Sequence, residues 1–263
     1  MARPVIALMS DFGTRDHYVG VMKGVLLSVC PDATLVDISH DIPPHDIQCA
    51  SLELAAAWRY FPPGSVFLVV VDPGVGSNRR GLAADIKGRR FVAPDNGVLT
   101  GVFRQTTPKR VVELTEQSYA LPKVSRTFEG RDLFAPAAAW LAKGIELPEL
   151  GSPVSDCCLL DTPAARVRDG YIDGVVLRID RFGNLITNID RETLGRLVDR
   201  GDIRLMVAGH EVDRIVETYA DITANEVCAL FGSTDHLEIA VNSAKAAERL
   251  GVELGAPVRI RRQ

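Results

Sequence analysis

Several things are scarce in this chain of 263 residues. Cysteine occurs only at Cys30, Cys49, Cys157, Cys158 and Cys228. That set is odd in number and irregular in spacing, so it suits neither a disulfide framework nor a zinc motif and points to a reducing cytoplasm. Histidine is as sparse: His17, His40, His45, His210 and His236 contain no His-x-x-x-His pair, and no zinc is expected. There is no Gly-x-x-x-x-Gly-Lys-Ser/Thr, and Gly74-Val75-Gly76 lacks the third glycine of a dinucleotide loop. No Gly-x-Ser-x-Gly occurs, which removes support for a serine hydrolase elbow. The longest apolar run is Val66 to Val71, whereas a membrane span needs ~20 such residues. The N-terminal run reaches Ser10-Asp11 before a signal-peptide core could form, so a soluble, cytoplasmic protein without a membrane partner is expected. Basic excess is missing too. Thirty Lys and Arg against 34 Asp and Glu give a net charge of −4, which disfavours a nucleic-acid partner.

What is present reads as an ordinary globular chain, 46% hydrophobic and 24% charged. Its first part alternates strand-like and helix-like segments. Val5 to Met9 is a continuous apolar run, as in a strand buried on both faces. Tyr18, Met22, Val25 and Val29 form a helical stripe that stops at Cys30-Pro31, because proline disfavours helix before it. Thr34 to Ile38 and Val66 to Val71 read as strands, and Asp46 as the cap of a helix running to Pro62-Pro63. Further strands are expected at residues 81–86, 91–93 and 110–114, and helices near 98–104 and 133–143. Strand, helix, strand is the signature of a mostly parallel sheet. The pattern changes after Gly151, where a turn-rich stretch to Ala165 reads as a linker. Short runs follow at residues 175–179, 205–207, 227–231 and 236–241, with one helix at 244–250. The expected architecture is an α/β domain over residues 1–160 and a smaller antiparallel, barrel-like domain over 168–263.

Open parallel sheets bind ligands beyond the carboxyl ends of their strands. Three expected strands end there in carboxylates: Asp11 after the first, Asp37 and Asp41 around the second, and Asp72 after the third. Any one of them alone reads equally as a turn cap. Carboxylates gathered on one edge repel, so a cation should sit among them: an arginine, a metal or a charged substrate. In Asp72-Pro73-Gly74-Val75-Gly76-Ser77-Asn78-Arg79, two glycines allow the chain to fold back and bring Arg79 onto Asp72. A magnesium site on Asp11, Asp37 and Asp72 stays open beside that reading. A second cluster is Thr127-Phe128-Glu129-Gly130-Arg131-Asp132, where Asp132 could cap a helix and Arg131 pair with a carboxylate. A third is Asp180-Arg181-Phe182-Gly183-Asn184. It suits a hairpin turn, yet the Asn184 amide also offers a donor and an acceptor side by side, as an adenine edge requires.

Seven segments stand in order: Asp11-Phe12-Gly13-Thr14, Tyr18 to Gly24, Ile42-Pro43-Pro44, Asp72 to Gly76, Pro94-Asp95-Asn96-Gly97, Thr127 to Asp132, and Phe182-Gly183-Asn184. Together, over essentially the whole chain, they resemble the S-adenosyl-L-methionine (SAM) hydrolase or SAM hydroxide adenosyltransferase family, relatives of the SAM-dependent fluorinases and chlorinases. The resemblance implies an SN2 displacement in which water attacks C5′ of SAM and releases adenosine and L-methionine. It implies no metal and no cofactor, SAM being the substrate. It also implies a homotrimer whose active sites lie between subunits. Asp72 would accept the water's proton, with Arg79 holding it charged. Asp11 would accept from the ribose 2′- and 3′-hydroxyls, Asn184 would read adenine, and Asp180 and Ser233 would hold the two ends of methionine. His45 stands where relatives can carry an aromatic wall over the ribose, and reads either as that wall or as a solvated loop residue.

One departure matters. The family's usual set is Asp, Arg and His, and the His position is Glu129 here. Glutamate accepts a proton but adds no positive charge, so Glu129 is expected to position water, or only to anchor its loop to Arg131. The rival readings are a SAM-dependent halogenase, which would yield a 5′-halogenated nucleoside, and a non-catalytic SAM or adenosine sensor, which would bind without releasing methionine.

Overall fold

The computed structural model describes residues 3–197 and 203–262. The chain divides into two compact units, Met1–Asp161 and Thr162–Gln263.

The first unit is built on a six-stranded mixed sheet. Its strands are β1 (Val5–Ser10), β2 (Thr34–Ser39), β3 (Val66–Val70), β4 (Gly81–Ile86), β5 (Arg89–Pro94) and β6 (Arg110–Glu113). The order across the sheet is β2-β1-β3-β5-β4-β6, with parallel pairing from β2 to β5 and β4 antiparallel to both its neighbours. Helices α1 (Tyr18–Val29), α2 (Ile47–Ala57), α3 (Thr100–Gln105) and α4 (Ala135–Ala142) cover it. Strand β3 shows why its sequence is uniformly apolar. Val66, Leu68 and Val70 enter one core with Met22, Leu26 and Phe134, while Phe67, Val69 and Val71 enter another with Leu54 and Trp58. A strand flanked by helices on both faces has no polar side to offer water. Helix α2 starts as the sequence implies: the Asp46 carboxylate accepts from Cys49 N at 2.8 Å, satisfying one of the orphan donors of the first turn.

Two expectations need correction here. Asp132 is not a helix cap. It lies within a π-helical turn, Gly130–Phe134, that leads directly into α4. The stretch after Gly151 is only partly a linker, since Val154 N donates to Val111 O and Leu160 N to Thr100 Oγ1, which ties it to the first unit.

The second unit is an antiparallel sheet of β7 (Arg166–Arg168), β8 (Tyr171–Ile179), β9 (Leu185–Asp190), β10 (Ile203–Val207), β11 (His210–Val212), β12 (Val227–Phe231), β13 (His236–Val241) and β14 (Pro257–Arg262). Helices α5 (Arg191–Leu197) and α6 (Ala246–Leu250) accompany it. The order is β11-β10-β14-β8-β9-β13-β12, with β7 on β8. After β11 the chain runs beside β12, where Ala229 N donates to Arg214 O and Val216 N to Ala229 O. The sheet therefore nearly closes on itself around Ile172, Leu185, Leu205, Ile239 and Ile260.

Candidate active site

The carboxyl end of β3 carries a cluster of two acids and one arginine. After Val71 the chain reverses: Ser77 Oγ donates to Gly74 O at 2.6 Å, and Arg79 N donates to Ser77 Oγ at 3.3 Å. This fold-back delivers the guanidinium to Asp72, whose two carboxylate oxygens each accept from Arg79 Nε at 3.0 Å. Arg79 Nη2 donates to Asp72 Oδ2 and also to Glu129 Oε2. The guanidinium carbon stands 5.0 Å from the ring centre of fully buried Phe134. Burial acts against the charge on Arg79, but the hydrogen bonds and charges of Asp72 and Glu129 outweigh it and hold the group above its ordinary range. Arginine thus bridges two carboxylates and stays charged.

Three local features aim these groups. Asn96 Nδ2 donates to Val71 O at 2.9 Å, pinning the backbone just before Asp72, while its Oδ1 accepts from Val98 N. Gly76 has φ +78°, and a Cβ there would stand 2.4 Å from Arg126 O, so only glycine fits the crossing of the two loops. Gly130 packs so that a Cβ would stand 3.1 Å from Val70 of β3 and 3.3 Å from Met22 of α1. This close approach seats Glu129 at the end of β3. The π turn follows at once, with the N–H groups of Arg131 and Asp132 both donating to Phe128 O. Arg131 pairs with buried Asp132, not with Glu129, so anchoring by Arg131 is excluded as the account of Glu129.

Asp11 follows β1, the sheet neighbour of β3, in register with it: Ser10 lies opposite Val70. Its Oδ2 accepts from His45 N at 2.8 Å. His45 has φ +68°, an uncommon left-handed conformation for a residue other than glycine, and it is held beside Asp11 by that bond. Asp37 turns elsewhere, to Lys23 and His40. Among the described residues no three His, Cys, Asp or Glu side chains gather as a metal-ligand group. Asp41 is exposed, its N–H on Ser39 Oγ.

In the second unit Asp180 and Asn184 close the β8–β9 hairpin. Asn184 N donates to Asp180 Oδ1 at 2.9 Å, and Asn184 Nδ2 to Asp180 Oδ2 at 3.0 Å. Hairpin turn and oriented amide are thus the same structure. Asn184 is buried, whereas the adjoining Phe182 is 74% exposed. Ser233 is exposed in the β12–β13 turn. Next to that turn lies a residue that the motifs do not reveal, Glu238. It is 8% exposed, accepts from Tyr219 Oη at 3.0 Å and abuts Gly232. A lone Glu in the run His236-Leu237-Glu238-Ile239 reads as the polar face of a strand, and only its burial sets it apart.

Fold and site together define a class: an α/β unit joined to a nearly closed β-sheet unit, with an acid–arginine–acid group crowning parallel strands. Comparison with known proteins supplies the family. Residues 6–151 match the SAM hydroxide adenosyltransferase N-terminal domain and residues 174–259 the C-terminal domain. The chain is 41% identical to an (R)-S-adenosyl-L-methionine hydrolase of Thermus thermophilus, covering 98% of this chain and 99% of that one. A hydrolase of the same name from Salinispora tropica is 36% identical, over 98% and 97%. A fluorinase of an Actinoplanes species is 30% identical, over 98% and 97%. The crystal structure of an uncharacterized conserved protein from Thermotoga maritima superposes with a TM-score of 0.92 at 35% identity, over 98% of this chain and all of that one. The chain belongs to the SAM hydroxide adenosyltransferase family.

Proposed function

We propose that this protein hydrolyses S-adenosyl-L-methionine to adenosine and L-methionine by in-line attack of water on C5′ of the ribose. One observation carries the reading. Two carboxylates, Asp72 and Glu129, share one guanidinium, Arg79, so the group carries a formal net charge of −1 where the parallel strands end. Such a site attracts a sulfonium and repels a halide ion, which favours water over halogenation.

The chemistry demands little else. A sulfonium leaves as a neutral thioether, so no general acid is needed, and the barrier lies in the weak nucleophile and its alignment. Water must stand ~3–3.5 Å behind C5′, and a carboxylate taking its proton strengthens the attack. Asp72 is assigned that proton, Arg79 the orientation of Asp72, and Glu129 the second contact to the water. Asp11 accepts from the ribose hydroxyls through the lone pairs not used by His45 N, and the His45 ring forms the wall beside the sugar. Asn184 reads adenine with its free Oδ1 and second N–H. Asp180 orients that amide and keeps lone pairs for the methionine ammonium, while Ser233 meets the carboxylate. The reading requires neither metal nor cofactor. It includes the R-configured sulfonium that the relatives' names specify and the association of three copies, checked by sedimentation.

The test is product chromatography after incubation with SAM, with and without chloride or fluoride. Adenosine and methionine in equal amounts, unaffected by halide, are expected. A 5′-halogenated nucleoside, or stoichiometric binding with no methionine released over hours, would overturn the proposal.

A further inference from the structure

Asp11 hangs on a short turn, and one residue ties both ends of that turn. Ser10 is fully buried, and its Oγ lies 2.7 Å from Nδ1 of buried His40. His40 Nε2 lies 3.2 Å from Asp37 Oδ1, while Asp37 Oδ2 accepts from Lys23 Nζ of α1 at 2.7 Å. Phe12 N donates to Ser10 Oγ at 3.4 Å, and Gly13 N donates to the His40 carbonyl at 2.8 Å. Asp11 stands between these anchors.

The chain of contacts is consistent in every direction when the neutral imidazole carries its proton on Nε2. Lys23 and His40 then donate to Asp37, Ser10 donates to Nδ1, and Phe12 donates to Ser10, so no buried donor or acceptor is wasted. The alignment depends on an irregularity between β1 and β2. Leu8 pairs with Asp37 but Met9 pairs with Ser39, so Ile38 is an extra residue and His40 comes abreast of Ser10. Serine, histidine and aspartate in a row invite comparison with a nucleophilic triad. The hydroxyl here has no exposure and already accepts from Phe12, so it cannot meet a substrate.

We infer that His40 is a positioning residue for substrate binding: it fixes the Ser10–Gly13 turn so that Asp11 presents its carboxylate to the ribose hydroxyls. The inference rests on the assignment of Asp11 to those hydroxyls made above.

Calorimetric titration with adenosine and with 2′,3′-dideoxyadenosine tests it, on the wild type and on the variants His40→Phe, Ser10→Ala and Asp11→Asn. Hydrogen bonds to a charged acceptor should make the wild type prefer adenosine by about tenfold or more. His40→Phe should bring that preference to within about threefold while dideoxyadenosine binds as before, because only hydroxyl recognition is lost. Ser10→Ala, which removes a single hydroxyl, should move the preference the same way and serves if His40→Phe lacks native near-ultraviolet circular dichroism. Equal weakening of both nucleosides, as a merely structural role would give, overturns the inference, and so does an unchanged preference in both variants. A wild type without preference, or an Asp11→Asn variant that keeps it, instead refutes the assignment of Asp11, and is seen without touching His40.

Discussion

Replacing Asp72 by asparagine changes one atom and removes two functions. The side chain is 5% exposed, and its oxygens accept from Arg79 Nε and Nη2. Asparagine keeps one acceptor for the guanidinium, and Arg79 keeps Glu129, so the charge is not left stranded. The stability cost should therefore be about 1–3 kcal/mol, the range for one disrupted polar contact, and the variant should fold. Catalysis should suffer more. A positioned base contributes about 10²- to 10⁴-fold, equivalent to about 3–5 kcal/mol in the barrier. The charge that attracts a sulfonium also falls to zero. Release of adenosine and methionine, followed by chromatography, should drop by that factor, while the Kd of adenosine changes by less than about threefold because its hydroxyl and base contacts are untouched. Turnover within about tenfold of wild type would remove Asp72 from the mechanism.

The other predictions concern its surroundings. Glu129→Gln keeps a hydrogen-bonding group on Arg79 but brings the net charge of the group to zero, so KM for SAM should rise while kcat falls about tenfold, and a kcat loss as deep as that of Asp72→Asn would make Glu129 the base instead. Gly76→Ala meets both a positive φ and the Arg126 carbonyl, so denaturant titration should show a loss of about 2–3 kcal/mol, and an unchanged midpoint would refute the reading. Burial is the main influence on Glu238 and pushes its carboxyl above the usual range, with Asp180 adding to the rise and Tyr219, Arg178 and His236 opposing it. The folded protein then holds that proton more tightly than the unfolded chain, so this contribution is full below the ordinary glutamate value and is lost as pH rises through the folded one. The Tm of Glu238→Gln should accordingly gain on the wild type as pH rises from about 4 to 8, and a constant difference would refute the assignment.

The elements legible in the sequence are those whose signals are local. The β3 run, the α1 stripe ending at Pro31 and the Asp46 cap each specify their own geometry within a few residues. The expected set omits β7, β9, β11, β14 and α5. Strands β7 and β11 have three residues each and exist only because β8 and β10 offer hydrogen bonds. In β14, Val258 and Ile260 are buried while Arg259 and Arg261 are exposed, an alternation hidden by its arginine-rich composition. The site divides in the same way. Asp72 and Arg79 are seven residues apart with glycines between them, so their meeting is readable. Arg79 and Glu129 are fifty apart and only the family resemblance joined them, while Ser10 and His40 are thirty apart and nothing in either segment announces the other.

The amino-acid order alone determined which segments bury an apolar face, where helices start and stop, and which chemical groups stand at strand ends. Each of these follows from interactions spanning a few residues, namely side-chain periodicity, capping and proline sterics. Only the tertiary structure decided that one guanidinium serves two acids, that Asp132 and not Glu129 takes Arg131, and that an extra residue in β2 swings His40 onto Ser10. Those outcomes depend on sheet order and close backbone approach, and both arise when distant segments compete for the same buried space.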